Sequence, residues 1–128
     1  MFAGGCLCGV VRYRIHGAVG PSYYCHCSLC RKVSGSAFSS NAVVDSDAFA
    51  YVAGQDKVKA FTNAAGVTRE FCMDCGSPLK ATQGGQMRLR IGSLDTGLPE
   101  APALHIYVGS KAEWHAIRDG LPQYDKRP

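Results

Sequence analysis

The sequence has no long apolar stretch; its hydrophobic runs last only a few residues, so no segment can span a bilayer as a helix. The opening residues, Met1 to Cys6, lack a basic stretch followed by an apolar core, so they do not read as a secretory signal, and the cytoplasm is the expected compartment. Charge is sparse at 19% of residues, with 14 basic against 10 acidic side chains and a formal net charge of +4. The densest basic runs are the pairs Arg31-Lys32 and Lys126-Arg127. A nucleic-acid binder concentrates such residues, so nucleic acid is not the expected partner, and a small anionic ligand suits the charge better. Repeats, linkers and low-complexity segments are also missing. With 46% hydrophobic residues in 128, the chain reads as one domain over residues 1–128, able to bury roughly two-thirds of its unfolded surface.

An even complement of cysteines is lacking too. There are seven, and an odd count in a reducing compartment argues against a disulfide framework. They fall as Cys6-x-Cys8, Cys25-x-Cys27-x-x-Cys30 and Cys72-x-x-Cys75, so each lies within three residues of another. Core packing gives no reason for such clustering. Metal ligation does, because thiolates must converge on an ion at about 2.3 Å. Two pairs make a closed, structural four-thiolate site from Cys6, Cys8, Cys72 and Cys75. The triplet Cys25, Cys27 and Cys30 makes an open site with an exchangeable position. This division uses every cysteine, although spacing alone also allows the triplet to borrow a fourth ligand. Cys72-Met73-Asp74-Cys75-Gly76 has the form of a zinc knuckle, where glycine after the second cysteine permits a positive φ and turns amides toward sulfur. Cys27-x-x-Cys30 also has redox spacing, but that motif opens a helix in a βαβ context, which this chain lacks. Thiolate ligands admit iron as well as zinc.

What remains is rich in glycine, with 15 residues, and reads as a mainly β domain with tight turns. Gly9–His16 alternates at period two and is expected to be a strand, and Tyr23-Tyr24 leads into the triplet. Leu29–Ser34 reads as a short helical turn. Phe38–Val44, Ala48–Val52, Lys57–Thr62, Val67–Phe71 and Leu104–Val108 read as strands, with a turn at Ala53–Asp56. Leu79–Thr82 and Met87–Ile91 form a hairpin across Gln83–Gln86. Ser110–Ile117 is expected to be a short helix with Ser110 as N-cap and Glu113 in the capping-box position. The tail through Pro122 is expected to be extended.

With these motifs placed, the chain resembles the glutathione-dependent formaldehyde-activating enzyme family, with the CENP-V/Mss4-like zinc fold, over nearly its whole length. Gly5-Cys6-Leu7-Cys8-Gly9 with Val11 and Tyr13, and Cys25-His26-Cys27-Ser28-Leu29-Cys30-Arg31-Lys32 with Gly35-Ser36-Ala37-Phe38, carry the likeness. So do Phe71-Cys72-Met73-Asp74-Cys75-Gly76-Ser77, Gly92-Ser93-Leu94-Asp95, His105–Val108, Ser110-Lys111, Trp114 and Leu121-Pro122. The resemblance implies twisted antiparallel sheets with short helices around two zinc ions per chain. It implies the same ligand division, with Cys25, Cys27 and Cys30 at the catalytic zinc. It also implies a carbon–sulfur lyase that joins a small thiol, glutathione, to formaldehyde.

An exchangeable position on a three-thiolate ion can take a substrate thiol as thiolate, ready to attack an aldehyde carbon. Three thiolates on Zn²⁺ already sum to one negative charge, so nearby cations matter. Arg31 and Lys32 follow the last ligand directly and, with Ser93, are the candidate substrate contacts. His26, between two ligands, is expected to point away from the metal, His105 to be a satisfied core histidine, and His115 to lie at the surface. The alternative reading is a non-catalytic zinc-binding interaction module of the same fold. Methionine sulfoxide reduction is disfavoured, because it needs a cysteine outside the metal sites and the two sites together leave none.

Overall fold

The computed structural model describes residues Met1–Pro128. Ten strands and one helix follow in order: β1 (Phe2–Gly5), β2 (Arg12–Ile15), β3 (Ser22–Cys25), α1 (Ser28–Ser34), β4 (Ser39–Val44), β5 (Phe49–Ala53), β6 (Val58–Thr62), β7 (Thr68–Cys72), β8 (Pro78–Gln83), β9 (Gln86–Arg90) and β10 (His105–Ile106). Period-two alternation explains the first sheet. Val11, Tyr13 and Ile15 are fully buried while Arg12 and Arg14 turn outward, which is how a half-buried strand reads. This sheet has the order β1-β2-β5, and the second has the order β10-β3-β4-β9-β8-β7-β6. All pairings are antiparallel except β10 with β3.

The core lies between the sheets. Val11, Tyr13 and Ile15 from the small sheet meet Ala42, Val44, Leu79, Met87 and Leu89 from the large one, and Cys6 and Cys72 belong to the same cluster. Tyr13 stacks on Phe49 with ring centroids 5.0 Å apart. The expected turn at Ala53–Asp56 is present, with a 3-10 turn at Gln55–Lys57, but the strands on its two sides part company: β5 joins the small sheet and β6 the large one. The expected hairpin is β8–β9, with Gly84 and Gly85 both at positive φ.

Three expectations change. β1 was not legible, because Phe-Ala-Gly-Gly has little strand propensity; it exists through its register with β2, Phe2 opposite Ile15 to Gly5 opposite Arg12. The strand read over Gly9–His16 starts only at Arg12, because the preceding residues curl around Cys6. The helix expected at Ser110–Ile117 does not form. A 3-10 turn covers Val108–Ser110, and Lys111 then leaves the helical region at ψ 143°. Ala112 is buried while Glu113, Trp114 and Ala116 are exposed, so no apolar stripe recurs at helical spacing to be covered. The Lys111 ammonium instead donates to the carbonyls of Ala112 and His115, holding the segment open. The tail is extended as expected and pairs with β10, His105 N–H donating to Pro122 and Tyr124 N–H to His105.

Candidate metal centres and an adjoining cavity

Local backbone chemistry builds the four-cysteine cluster from two turns. After β1 the chain folds back so that Cys6 N–H donates to Val11 O at 3.1 Å, and Val11 N–H points at Cys6 Sγ at 3.3 Å. After β7, Gly76 at φ +77° lets its own N–H reach Cys72 O at 2.8 Å. Leu7 N–H donates to Ser77 Oγ at 2.8 Å and stitches the two turns together. The four Sγ atoms of Cys6, Cys8, Cys72 and Cys75 lie within 4.8 Å of one another. Cys6 and Cys8 sulfurs are 3.5 Å apart, Cys8 and Cys72 sulfurs 3.8 Å. Sulfurs held tetrahedrally at about 2.3 Å from an ion stand about 3.8 Å apart, so this donor set fits a tetrahedral metal such as zinc. The Ser77 hydroxyl and the amides of Cys8 and Ser77 hold the Cys75 thiol down at about 6.

The Cys25, Cys27 and Cys30 sulfurs form a second group within 4.8 Å. β3 delivers Cys25, which pairs with Ser39 on β4 and Ile106 on β10. Cys27 is the N-cap of α1, its Sγ accepting from Cys30 N–H at 3.3 Å. One turn of helix therefore folds Cys30 back over Cys27. Cys25 and Cys30 are buried and Cys27 is half-buried, so the group opens to one side. Hydrogen bonds from Cys25 and Cys27 pull the Cys30 thiol down to about 2, with Ser39 and the Arg90 charge adding to the effect. The same crowding pushes Cys25 up. Three sulfurs crowded this closely are what a bound cation would hold together.

The candidate contacts are placed unevenly. Ser93 lies in the wall of a cavity of about 610 Å³ that Cys6 lines from the four-cysteine group and that adjoins the triplet through Ser39 and Arg90; Ser93 is bonded to Tyr13 OH at 2.7 Å and to Arg90 O at 2.8 Å. Arg31 is not in that wall, and Lys32 faces a separate hollow with Phe61 and Arg69. The cation that touches both the cavity and the Cys30 environment is Arg90. It is 9% exposed, and its Nη1 donates to Ser39 Oγ at 3.2 Å and to Asn41 Oδ1. Arg90 escaped sequence reading because an alternating strand predicts an outward, solvated arginine next to Leu89. The signal was weak: polar Ser39 and Asn41 at alternate positions of β4 mark a polar face for it to meet.

Behind the triplet runs a hydrogen-bonded chain of three side chains. Asp119 accepts from His105 Nε2–H at 3.0 Å, and His105 Nδ1 lies 2.8 Å from His26 Nε2. A carboxylate only accepts, so His105 Nε2–H is the donor to Asp119, and in the neutral ring Nδ1 then accepts from His26 Nε2–H. His26 Nδ1 is left as a buried lone pair without a partner. Burial, with His105, His115 and Lys111 alongside, holds His26 down at about 4, so it stays neutral. His26 Nδ1 and Nε2 stand outside both sulfur groups, and His105 is a satisfied core histidine. His115 is half-buried, its ring 6.0 Å from that of His26. Nothing in the sequence marked Asp119.

The family described as glutathione-dependent formaldehyde-activating enzyme matches residues 1–110. A Halomonas elongata protein provisionally named as such an enzyme is 30% identical over 131 aligned positions, covering 91% of this chain and 81% of its own length. An Aspergillus flavus protein with the same provisional name is 36% identical over 83 residues, 61% of this chain. The chain covers only 44% of that fungal relative. A solved Rhodobacter sphaeroides structure shares the fold, with a TM-score of 0.64 and 19% identity across 78% of this chain and 97% of its own. On the match over residues 1–110 and the Halomonas alignment, the chain belongs to the family of glutathione-dependent formaldehyde-activating enzymes.

Proposed function

We propose that the protein is a zinc-dependent carbon–sulfur lyase acting on a small-thiol adduct, with glutathione and formaldehyde as the thiol and aldehyde. The observation that carries the reading is the open triplet. Cys25, Cys27 and Cys30 converge without a fourth ligand from this chain, and Ser39 and Arg90 link their surroundings to the cavity. Zinc bound there would supply an exchangeable position at which a substrate thiol is held as thiolate near neutral pH. In the forward direction a carbon–sulfur bond forms, the carbonyl π bond opens, and the oxygen takes up the proton the thiol has lost. The reverse expels the thiolate and restores the aldehyde.

This chain's own residues do the rest. Cys27, as N-cap of α1, fixes the spacing of two sulfurs with one backbone bond. Arg90 offsets the excess negative charge of three thiolates from the cavity side. Cys6, Cys8, Cys72 and Cys75 hold a second, structural zinc. Family membership supports the thiol and aldehyde assignment, and the sulfur geometry supports zinc.

Native mass spectrometry with and without glutathione, followed by breakdown kinetics of S-hydroxymethylglutathione, tests the reading. Two zinc ions per chain, a mixed protein–zinc–glutathione species, and breakdown faster than the uncatalysed rate are expected, with one zinc, the mixed species and the rate excess all lost in Cys27→Ser. Two zinc ions indifferent to every thiol, with wild type and Cys27→Ser alike in kinetics, would overturn it in favour of a binding module.

A further inference from the structure

Arg90 has more donors than the protein uses. A guanidinium presents five N–H groups. In Arg90 only Nη1 meets protein acceptors, Ser39 Oγ and Asn41 Oδ1, and both are neutral. No carboxylate pairs with it, since the acidic partners in this molecule belong to Arg12, Lys57, Lys80 and His105. Its remaining donors have no hydrogen-bond partner in the protein and are not fully shut off from solvent, and Arg90 lines the cavity. The Cys30 thiol lies within reach of its charge, but no anion of the protein touches the guanidinium, and a buried cation without an anion in contact is costly.

The rest of the wall suits an anion with a polar body. Ser36, Ser40 and Ser93 contribute hydroxyls, Gly92 leaves open space where a side chain would stand, and Arg90 is the only cation. The only wall carboxylate, Asp95, is engaged by Arg12 at 2.6 Å. A volume of about 610 Å³ is far more than a bare inorganic anion fills and lies within the usual range for small organic ligands. One planar guanidinium matches one carboxylate in a two-point contact, whereas a doubly charged phosphate would be left half-neutralised.

We propose that this cavity is a carboxylate subsite: Arg90 receives the free carboxylate of a small thiol whose sulfur reaches the Cys25–Cys27–Cys30 centre. The inference rests on the lyase reading and narrows its substrate to thiols that bear a carboxylate. In glutathione the glycine carboxylate, which has no ammonium beside it, is the group assigned to Arg90.

The test uses a thioether that cannot supply a thiolate. Binding of S-methylglutathione and of its glycine amide to the metal-loaded protein is measured by calorimetry. The acid is expected to bind and the amide to bind roughly tenfold or more weakly. In Arg90→Gln the acid falls to the level of the amide, and Arg90→Lys recovers part of the difference. Equal binding of acid and amide to wild-type protein overturns the subsite, as does an Arg90→Gln variant that still separates them, or no binding of the acid at millimolar concentration. The acid–amide pair on wild-type protein decides the matter even if Arg90→Gln does not fold. Adduct breakdown with equal acid and amide binding would sink the subsite alone. A clear acid preference without any adduct breakdown would sink the lyase reading alone.

Discussion

At the scale of single residues, backbone conformation and unpaired donors set the sharpest limits. Gly54 sits at φ +70°, and a Cβ there would stand 2.0 Å from the carbonyl oxygen of Val10. Gly66, at φ +82°, has open space around it. Gly54→Ala is therefore expected to cost well over the roughly 1–2 kcal/mol that a left-handed residue costs by itself, and Gly66→Ala about that amount. Urea unfolding of the two variants side by side checks the difference; equal losses would count against the close approach of Val10. Asp119 tests the buried histidine chain. Asp119→Ala leaves the 2%-exposed His105 with an unmatched Nε2–H, which should cost about 1–3 kcal/mol although Asp119 itself is largely exposed. Nitrogen NMR of the histidine rings should show His26 as a single neutral tautomer in the wild type and as a mixture in the variant.

At the scale of elements, each strand's worth follows its place in the sheets. β8 is interior, between β7 and β9, and Leu79 on it is fully buried. β6 is the edge of the large sheet, and its Phe61 is 61% exposed. Leu79→Ala is expected to cost about 2–5 kcal/mol and Phe61→Ala within about 0.5 kcal/mol, both read from denaturation midpoints. Lys80 ties three elements together, lying 3.4 Å from Glu70 and 4.5 Å from the Phe49 ring centre, while Tyr51 OH donates to Glu70 at 3.0 Å. Sequence periodicity marked most of these strands as strands. It could not show that β5 and β6, one turn apart, would belong to different sheets, because partner choice depends on which buried face each strand completes.

At the scale of the whole molecule, the two cysteine clusters have different mechanical jobs. The quartet joins the small sheet to the large one, with Cys8 and Cys72 meeting across 64 positions of sequence. The triplet lies within one strand–helix junction. Metal removal is therefore expected to act in two stages. Mild chelation should empty the three-ligand centre first with little change in circular dichroism. Removal of the second ion should lower Tm steeply, since structural zinc supplies on the order of 10 kcal/mol of apparent binding energy. Cys8→Ser should lower Tm far more than Cys27→Ser, and equal effects would refute this division of labour.

The sequence alone determined the chemistry that depends on neighbours in the chain. Cysteines at x and x-x spacing must stand close together whatever the fold, so the two cysteine pairs and the triplet, the knuckle turn at Gly76 and the β8–β9 hairpin were readable, whereas only the fold brings Cys6 and Cys8 to Cys72 and Cys75. Likeness along residues 1–110 fixed the family for the same reason. The tertiary structure decided what depends on distant partners. It buried Arg90 by register with Asn41, aligned Asp119 behind His105 and His26, and set Ser93 rather than Arg31 or Lys32 in the cavity wall. It also left Ser110–Ile117 without a helix, because capping residues cannot hold a helix that has no apolar face to bury. The physical reason is common to all of these: a ligand spacing is a covalent constraint, whereas burial, charge pairing and strand partnership are settled only when both sides of the contact exist.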